Sequence, residues 1–354
     1  MSRYMSARFA GLNAYTPGEQ PRDMDYVKLN TNESPFPPSP QVLAAVRGEE
    51  AERLNLYPDP ECTALRQALA RQYGVEKENV FVANGSDEVL NFSFLAFCDK
   101  ENGVAFPDIS YGFYPVFAQL YQIPAKVVPL RPDFRLAPED YSNLGCTIVF
   151  ANPNAPTGLA LSAAQVKSMV RANPDHVVLV DEAYVDFGGE SCVPLTKQYD
   201  NLLVCMTFSK SRSLAGARLG FAVGNASLIE DLEKIRYSPN PYNINRMTMA
   251  AGIAAVESDT YYKENCRTIQ ENRAYTEEQL ARRGFSTLPS KANFIFTSCP
   301  DMDGGALYRA LKQRGVLVRY WDKPALRNYV RVTIGSRPQM DAFLAAVDDA
   351  RKEI

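Results

Sequence analysis

Lys210 is the side chain from which a chemistry can first be read. It sits in Thr207-Phe208-Ser209-Lys210-Ser211-Arg212-Ser213-Leu214-Ala215-Gly216-Ala217-Arg218, among hydroxyls and with an arginine eight residues on. The run before it, Asn201-Leu202-Leu203-Val204-Cys205-Met206-Thr207-Phe208, is apolar and short enough for a buried strand. Lys210 is therefore expected where a strand of an open α/β sheet ends, which is where such sheets bind ligands. An amine partly withdrawn from water at that edge can attack a carbonyl, as a Schiff-base lysine does. Most lysines that follow a strand are solvated, so this window alone leaves both readings open.

A second stretch narrows the chemistry. Val177-Val178-Leu179-Val180-Asp181-Glu182-Ala183-Tyr184 is another apolar strand pattern, ending in a carboxylate and a phenol three residues apart. A pyridoxal phosphate site needs a lysine for its aldehyde and an anion opposite its pyridinium nitrogen. It also needs donors for its phenolate oxygen, and donors or cations for its phosphate. The chain offers each.

The elements that must position these groups follow from the pattern along the chain. Val80-Phe81-Val82 reads as a strand running into Ala83-Asn84-Gly85-Ser86-Asp87-Glu88, with a helix continuing to Cys98. A strand, a glycine turn and a helix N-terminus are either a plain tight turn or a phosphate cradle. Strands are also expected at 103–106, 125–130, 146–150, 176–180 and 201–207, with a helix over 162–171, and this alternation points to a mostly parallel sheet. Leu219 to Gly224 lies too close to Lys210 for a crossover helix and should return antiparallel. Pro107 to Tyr114 is an aromatic loop whose rings serve either the core or a planar ligand. Helices are expected over 40–54 and 62–73, around the bend Leu56-Tyr57-Pro58-Asp59-Pro60. Long helical periodicity over 246–283 precedes a small α/β lobe with strands at 293–296, 316–319 and 329–334 and helices at 304–314 and 337–351. The proline-rich start, through Asn30-Thr31-Asn32-Glu33-Ser34-Pro35, is an arm that either packs on the surface or drapes over the site. The division expected is an N-terminal arm over 1–37, a large cofactor-binding domain over 38–244 and a small domain over 245–354.

Composition excludes several alternatives. With 354 residues, 46% hydrophobic, the chain is long enough for two lobes. Thirty-eight basic against 41 acidic side chains leave a formal charge of −3 and no long basic run, so nucleic acid and anionic membrane are not expected partners. Seven scattered cysteines without a CxxC argue against a disulfide framework and a structural zinc site, and fit a reducing cytoplasm. No window approaches a membrane span. No metal is expected, and the one histidine, His176, begins an apolar strand.

Taken in order, these stretches resemble the fold-type I pyridoxal-phosphate aminotransferases, most closely the histidinol-phosphate aminotransferases. The resemblance covers nearly the whole chain. Its landmarks are Tyr15-Thr16-Pro17-Gly18, Asn30 to Pro35, Tyr57-Pro58-Asp59, Asn84-Gly85-Ser86-Asp87-Glu88, Asn154-Ala155-Pro156-Thr157-Gly158, Asp181-Glu182-Ala183-Tyr184, Ser209-Lys210 with Arg218, Pro241-Tyr242-Asn243-Ile244-Asn245 and Val330-Arg331-Val332-Thr333-Ile334-Gly335. The fold implied is a large domain with a mostly parallel seven-stranded sheet flanked by helices, plus a small α/β domain. By resemblance Lys210 carries the cofactor and acts as nucleophile and general base. Asp181 then pairs with the pyridinium nitrogen, and Tyr184 donates to the phenolate oxygen. Gly85, Ser86, Asp87, Thr207, Ser209 and Arg218 hold the phosphate, and Tyr111 stacks on the ring. Tyr57 reaches the cofactor of the neighbouring subunit, which implies a homodimer. Arg331 and Arg319 receive the substrate's anionic groups, and Tyr15 and Asn32 close over it; Arg319 could instead make a structural ion pair. The superfamily's asparagine directly before Pro-Thr-Gly is replaced here by Ala155, which leaves Asn154, one residue earlier, as the candidate for that contact.

The activity implied is exchange of an amino group between L-histidinol phosphate and 2-oxoglutarate. An aromatic or broad-range aminotransferase and a threonine-phosphate decarboxylase share the architecture and remain alternatives. A cofactor-binding regulator without turnover would need an added DNA-binding segment or a lost lysine, and the sequence has neither.

Overall fold

The computed structural model describes residues 3–9 and 11–353, so residues 1, 2 and 10 of the expected arm and residue 354 of the expected small domain lie outside the described residues. Seven strands build the principal sheet: β1 (Val80–Ala83), β2 (Val104–Pro107), β3 (Ala125–Val128), β4 (Thr147–Ala151), β5 (Val178–Asp181), β6 (Leu202–Thr207) and β7 (Gly220–Gly224). Their spatial order is β1-β7-β6-β5-β4-β2-β3. Neighbours from β6 to β3 run parallel, whereas β7 is antiparallel to both β6 and β1. The short link from Lys210 to Gly220 is thus a return without a crossover helix, as its length requires.

β4, β5 and β6 are buried along their whole length because helices cover both faces, which is why they read as unbroken apolar runs. Alternate residues serve opposite cores. Val178 and Val180 enter the cluster with Val204 and Phe150, and Leu179 enters the other with Leu203 and Cys205. Each fully buried side chain of this size contributes about 1.5–3 kcal/mol relative to exposure. A slip of one residue would invert every one of them, so burial also fixes the face on which Asp181 emerges, that of Leu179.

The C-terminal lobe has its own core around β8 (Ser286–Thr287), β9 (Phe294–Ser298), β10 (Arg319–Tyr320) and β11 (Tyr329–Thr333), ordered β10-β11-β9-β8 and antiparallel throughout. Val316–Leu317, expected to continue into Arg319, instead pairs in parallel with Val27–Lys28, which ties the N-terminal arm to this lobe. The helix expected over 40–54 is broken into Pro40–Ala45 and Glu49–Glu52, with Gly48 between them. The helical periodicity over 246–283 resolves into Arg246–Glu257 and Asp259–Arg282, separated at Ser258. The expected boundary between 244 and 245 does not coincide with a change of core. Ala251, Ala255 and Tyr262 pack with the large sheet, and only from Cys266 and Ile269 onward does the long helix serve the C-terminal lobe. The reason is that small alanine faces let Arg246–Glu257 lie close against the helices Pro40–Ala45 and Thr63–Tyr73.

Candidate active site

Two adjoining cavities, of 340 Å³ and 270 Å³, open at the C-terminal ends of β5 and β6 and share Thr31, Tyr111, Ala155, Tyr184 and Lys210. Lys210 Nζ reaches the Thr31 carbonyl at 3.3 Å and lies 5.8 Å from the centre of the Tyr184 ring. A larger cavity of 770 Å³ surrounds Arg212 and Asp259, but its lining includes none of the predicted site residues.

Asp181 lines the inner cavity, and the fully buried Tyr114 is hydrogen-bonded to it. One Asp181 oxygen accepts from the Tyr114 hydroxyl at 3.1 Å and the other from the Ala183 N–H at 3.2 Å. Burial nonetheless pushes the carboxyl up to about 6, because these two donors and Lys210 offset only part of the desolvation. A cation or N–H placed here would restore the anion.

At the opposite wall, Gly85 at φ +82 turns the chain from β1 into the helix Ser86–Phe97. A Cβ at Gly85 would fall 2.6 Å from Arg218 Nη2, and one at Gly220 would fall 2.3 Å from the Ser86 nitrogen. Two glycines therefore bring the ends of β1 and β7 and a helix N-terminus together. Arg218, itself in the left-handed region at φ +53, is held there by Asp87 at 2.9 Å, while the other Asp87 oxygen accepts from Tyr111 at 2.6 Å. The Thr207 hydroxyl donates to Ser209 Oγ at 3.0 Å. Backbone N–H groups, hydroxyls and one guanidinium converge as an oxyanion requires.

The outer cavity is cationic. β10 and β11 pair so that Arg319 stands directly opposite Arg331. Arg319 donates to the carbonyls of Thr16 and Pro17, both at 3.2 Å, and Arg331 donates to Asn30 O at 2.9 Å. Both guanidiniums face Trp321, at 5.4 and 5.3 Å from its ring. Burial, with Arg319 alongside, lowers the Arg331 pKa, and its Nε has no partner among the described residues. Tyr15 lines the same cavity, stacked on Phe113 at 4.2 Å. The Asn32 amide donates to the Tyr184 hydroxyl at 2.9 Å.

Two predicted residues stand elsewhere. Asn154 lines a neighbouring cavity; its Oδ1 accepts from Ser110 at 2.8 Å, and its amide donates to Ile109 O and Thr157 Oγ1 at 3.0 and 3.1 Å. From this loop Ala155 lines both cavities and Pro156 the outer one. Tyr57 is 76% exposed, outside the cleft of its own chain, with its ring stacked on Tyr242 at 4.5 Å.

The model of aminotransferase classes I and II matches residues 24–347. The chain belongs to that family. Curated relatives of this aminotransferase include histidinol-phosphate aminotransferases of Marinomonas sp. (strain MWYL1), 49% identical over 98% of this chain and 99% of the relative, and of Brachyspira hyodysenteriae, 46% identical over 98% of each. Among solved structures, the histidinol-phosphate aminotransferase of Sinorhizobium meliloti, in complex with pyridoxal-5'-phosphate, superposes with a TM-score of 0.84 at 26% identity, covering 92% of this chain and 91% of that one.

Sequence reasoning missed Tyr114, Trp321 and Lys323, which this aminotransferase brings to the site. Trp321 is the only tryptophan and lies two residues after Arg319, a spacing that could have flagged it. Tyr114 reads as one apolar-spaced aromatic among several, and only the burial of Asp181 marks it out. Among the described residues no cluster could hold a metal, and no helix is long and apolar enough to cross a membrane.

Proposed function

We propose that this chain is a pyridoxal-phosphate-dependent aminotransferase acting on L-histidinol phosphate and 2-oxoglutarate, with imidazole-acetol phosphate and L-glutamate on the other side. The observation that carries the reading is the opposed pair Arg319 and Arg331 in the cleft of Lys210. Like charges directly opposite one another across a strand pair repel, and a bound anion removes that repulsion while giving Arg331 Nε a partner. The phosphate of one substrate and the carboxylate of the other both fit bidentate guanidinium geometry. The name shared by relatives 46–49% identical supports the same donor.

The inner cavity suits the cofactor group by group. Its cationic ring nitrogen would face Asp181, whose burial leaves it in need of that partner. Its phosphate would lie among Gly85, Ser86, Asp87, Thr207, Ser209 and Arg218, its ring against Tyr111, and its phenolate oxygen toward Tyr184. When bound, pyridoxal phosphate supplies an electron sink for the charge left as the substrate's α-proton departs. Lys210 Nζ is the base that removes that proton. Arg319 and Arg331 orient the substrate by its anion, and Tyr15 and Asn32 exclude water over it.

A homodimer in which Tyr57 serves the neighbouring site accounts for the exposed patch of Tyr57, Leu54, Leu56 and Tyr242. Seven buried, unpaired cysteines support a cytoplasmic setting. A second reading, an aromatic amino donor, is favoured by the rings of Tyr15, Tyr111 and Trp321 around the cleft.

A half-reaction separates these readings. L-Histidinol phosphate, L-phenylalanine and L-threonine phosphate are added one at a time to the cofactor-loaded protein, bleaching of its visible band is followed, and products are identified by mass. Rapid conversion of histidinol phosphate alone is the expected result. Equal conversion of phenylalanine would make the chain a broad-range aminotransferase, and carbon dioxide release from threonine phosphate would make it a decarboxylase.

A further inference from the structure

The hydroxyl of Tyr184 is polarised by a chain of hydrogen bonds. It begins at the backbone of Asn32, whose N–H, necessarily a donor, points at Thr333 Oγ1 at 3.0 Å. The hydroxyl of Thr333, accepting there, spends its own proton on Asn32 Oδ1 at 3.0 Å. With Oδ1 accepting from Thr333, Asn32 Nδ2 faces Tyr184 and donates to its hydroxyl oxygen at 2.9 Å. An amide nitrogen only donates, so the Tyr184 oxygen accepts and its single proton has to leave on the other side. Among the described residues no protein group takes that proton, and Tyr184 lines the cleft of Lys210.

The surroundings make this arrangement rigid. Asn32 is 1% exposed and holds a left-handed backbone at φ +58, a conformation asparagine tolerates better than other side chains. Its carbonyl accepts from Asn293 Nδ2 at 3.0 Å, and Thr333 N donates to Leu29 O at 2.9 Å. Thr333 is two residues from Arg331 on β11, so the strand presents both on one face. On the facing loop Ala155 offers only a methyl group, and the amide of Asn154 is committed elsewhere.

We propose that Thr333 and Asn32 are positioning residues that make Tyr184 an obligatory hydrogen-bond donor into the cleft, toward an anionic oxygen of the bound cofactor. The inference rests on the cofactor assignment proposed above. It assigns Thr333 a part in the site, and it gives Asn32 a task distinct from covering substrate. It also explains how the loop can do without an asparagine at position 155: the donor on this side of the cleft is oriented from the C-terminal lobe instead.

The test is a pH titration of the visible absorption of bound pyridoxal phosphate in the full-length protein, with cofactor affinity measured in parallel. A donor to the cofactor's oxygen stabilises its anionic form, so losing the donor raises the midpoint. Tyr184→Phe sets the full effect. Thr333→Val, which frees the Asn32 amide to turn, is expected to raise the midpoint by about one unit, a tenfold change in the proton equilibrium, and Thr333→Ser to restore it. Asn32→Asp offers Tyr184 a carboxylate as a competing acceptor and is expected to raise the midpoint at least as far as Tyr184→Phe. In the Tyr184→Phe background Thr333→Val is expected to add nothing, since the two act through one group. Lys210, whose Nζ lies over the Tyr184 ring, and Arg331, whose charge interacts with Tyr184, are unchanged in every variant. A wild-type midpoint in Thr333→Val, or an effect that persists without the Tyr184 hydroxyl, would overturn the proposal. Should Thr333→Val not fold, Thr333→Ala replaces it under the same criteria. Failure of the wild-type protein to bind the cofactor would overturn the functional reading itself, a result distinct from a loaded protein with unmoved midpoints.

Discussion

At the scale of single residues, Asp181 is a carboxyl whose burial the chain's own donors only partly offset. Its folded-state pKa of about 6 lies above its ordinary 3.8, so the folded chain binds this proton more tightly than the unfolded chain does. Its contribution to stability is therefore fully present below about pH 4 and declines as pH rises toward 6. Cofactor-free protein is expected to lose stability relative to Asp181→Asn across that window, by denaturant unfolding at pH 4, 5, 6 and 7, and the gap should close when cofactor is added. A gap that stays constant with pH would mean that the carboxyl is already compensated in the free chain. Glu182, next in sequence, is pushed up by burial to about 7, but it faces Ser191 and the Cys192 N–H, away from the cleft, so it belongs to the scaffold.

At the scale of elements, the cradle depends on how closely β7 approaches the turn before the helix Ser86–Phe97. Nothing but hydrogen fits at Gly220, where an added Cβ would lie 2.3 Å from the Ser86 nitrogen and 2.4 Å from the Gly85 carbonyl carbon. Gly220→Ala is expected to cost about 1–3 kcal/mol in stability through overpacking and to weaken cofactor binding on the order of tenfold, since the cradle must open. Gly216→Ala, with nothing within 4 Å, is the control and should change neither. Cofactor titration and urea unfolding of the two variants decide it; equal behaviour would remove the close approach from the binding argument. The pairing of β10 with β11 is the second element-scale device. Two arginines twelve residues apart look independent in the chain, and only the register Arg319↔Arg331 makes them one anion receiver.

For the molecule as a whole, the site draws on the arm, the principal sheet and the C-terminal lobe: Thr31 and Asn32, Asp181 and Lys210, and Arg331 and Thr333 respectively. If Tyr57 completes the neighbour's site, mixing two defective proteins will restore function. A heterodimer of Lys210→Ala with Tyr57→Ala has one protomer with its own lysine and its partner's tyrosine, so about half of its sites are whole by two-fold symmetry. Activity is expected to reappear on mixing under conditions that exchange subunits. No recovery, with heterodimers demonstrated by mass, would return Tyr57 to a structural role on its own subunit, stacked on Tyr242.

The sequence by itself determined the seven strands of the principal sheet, the antiparallel return after Lys210 and the grouping of Lys210, Asp181, Tyr184 and Arg218. These are local in cause: apolar runs of strand length ending in polar groups place side chains at a sheet edge whatever else the chain does. Gly85 marked either a plain turn or a phosphate cradle, whereas Gly220 read only as part of a returning strand. Only the tertiary structure decided that Ala155 and not Asn154 faces the cleft, because that choice turns on which carbonyls and hydroxyls of other segments capture the Asn154 amide. It also decided which core each C-terminal helix serves, and that the Asn32 amide meets the Tyr184 hydroxyl. Thr333 is about 300 residues from Asn32, and a hydrogen bond between segments so far apart leaves no periodic trace in either. Local patterns record the burial of each element, whereas the direction of a donor is set by the partners that folding brings to it.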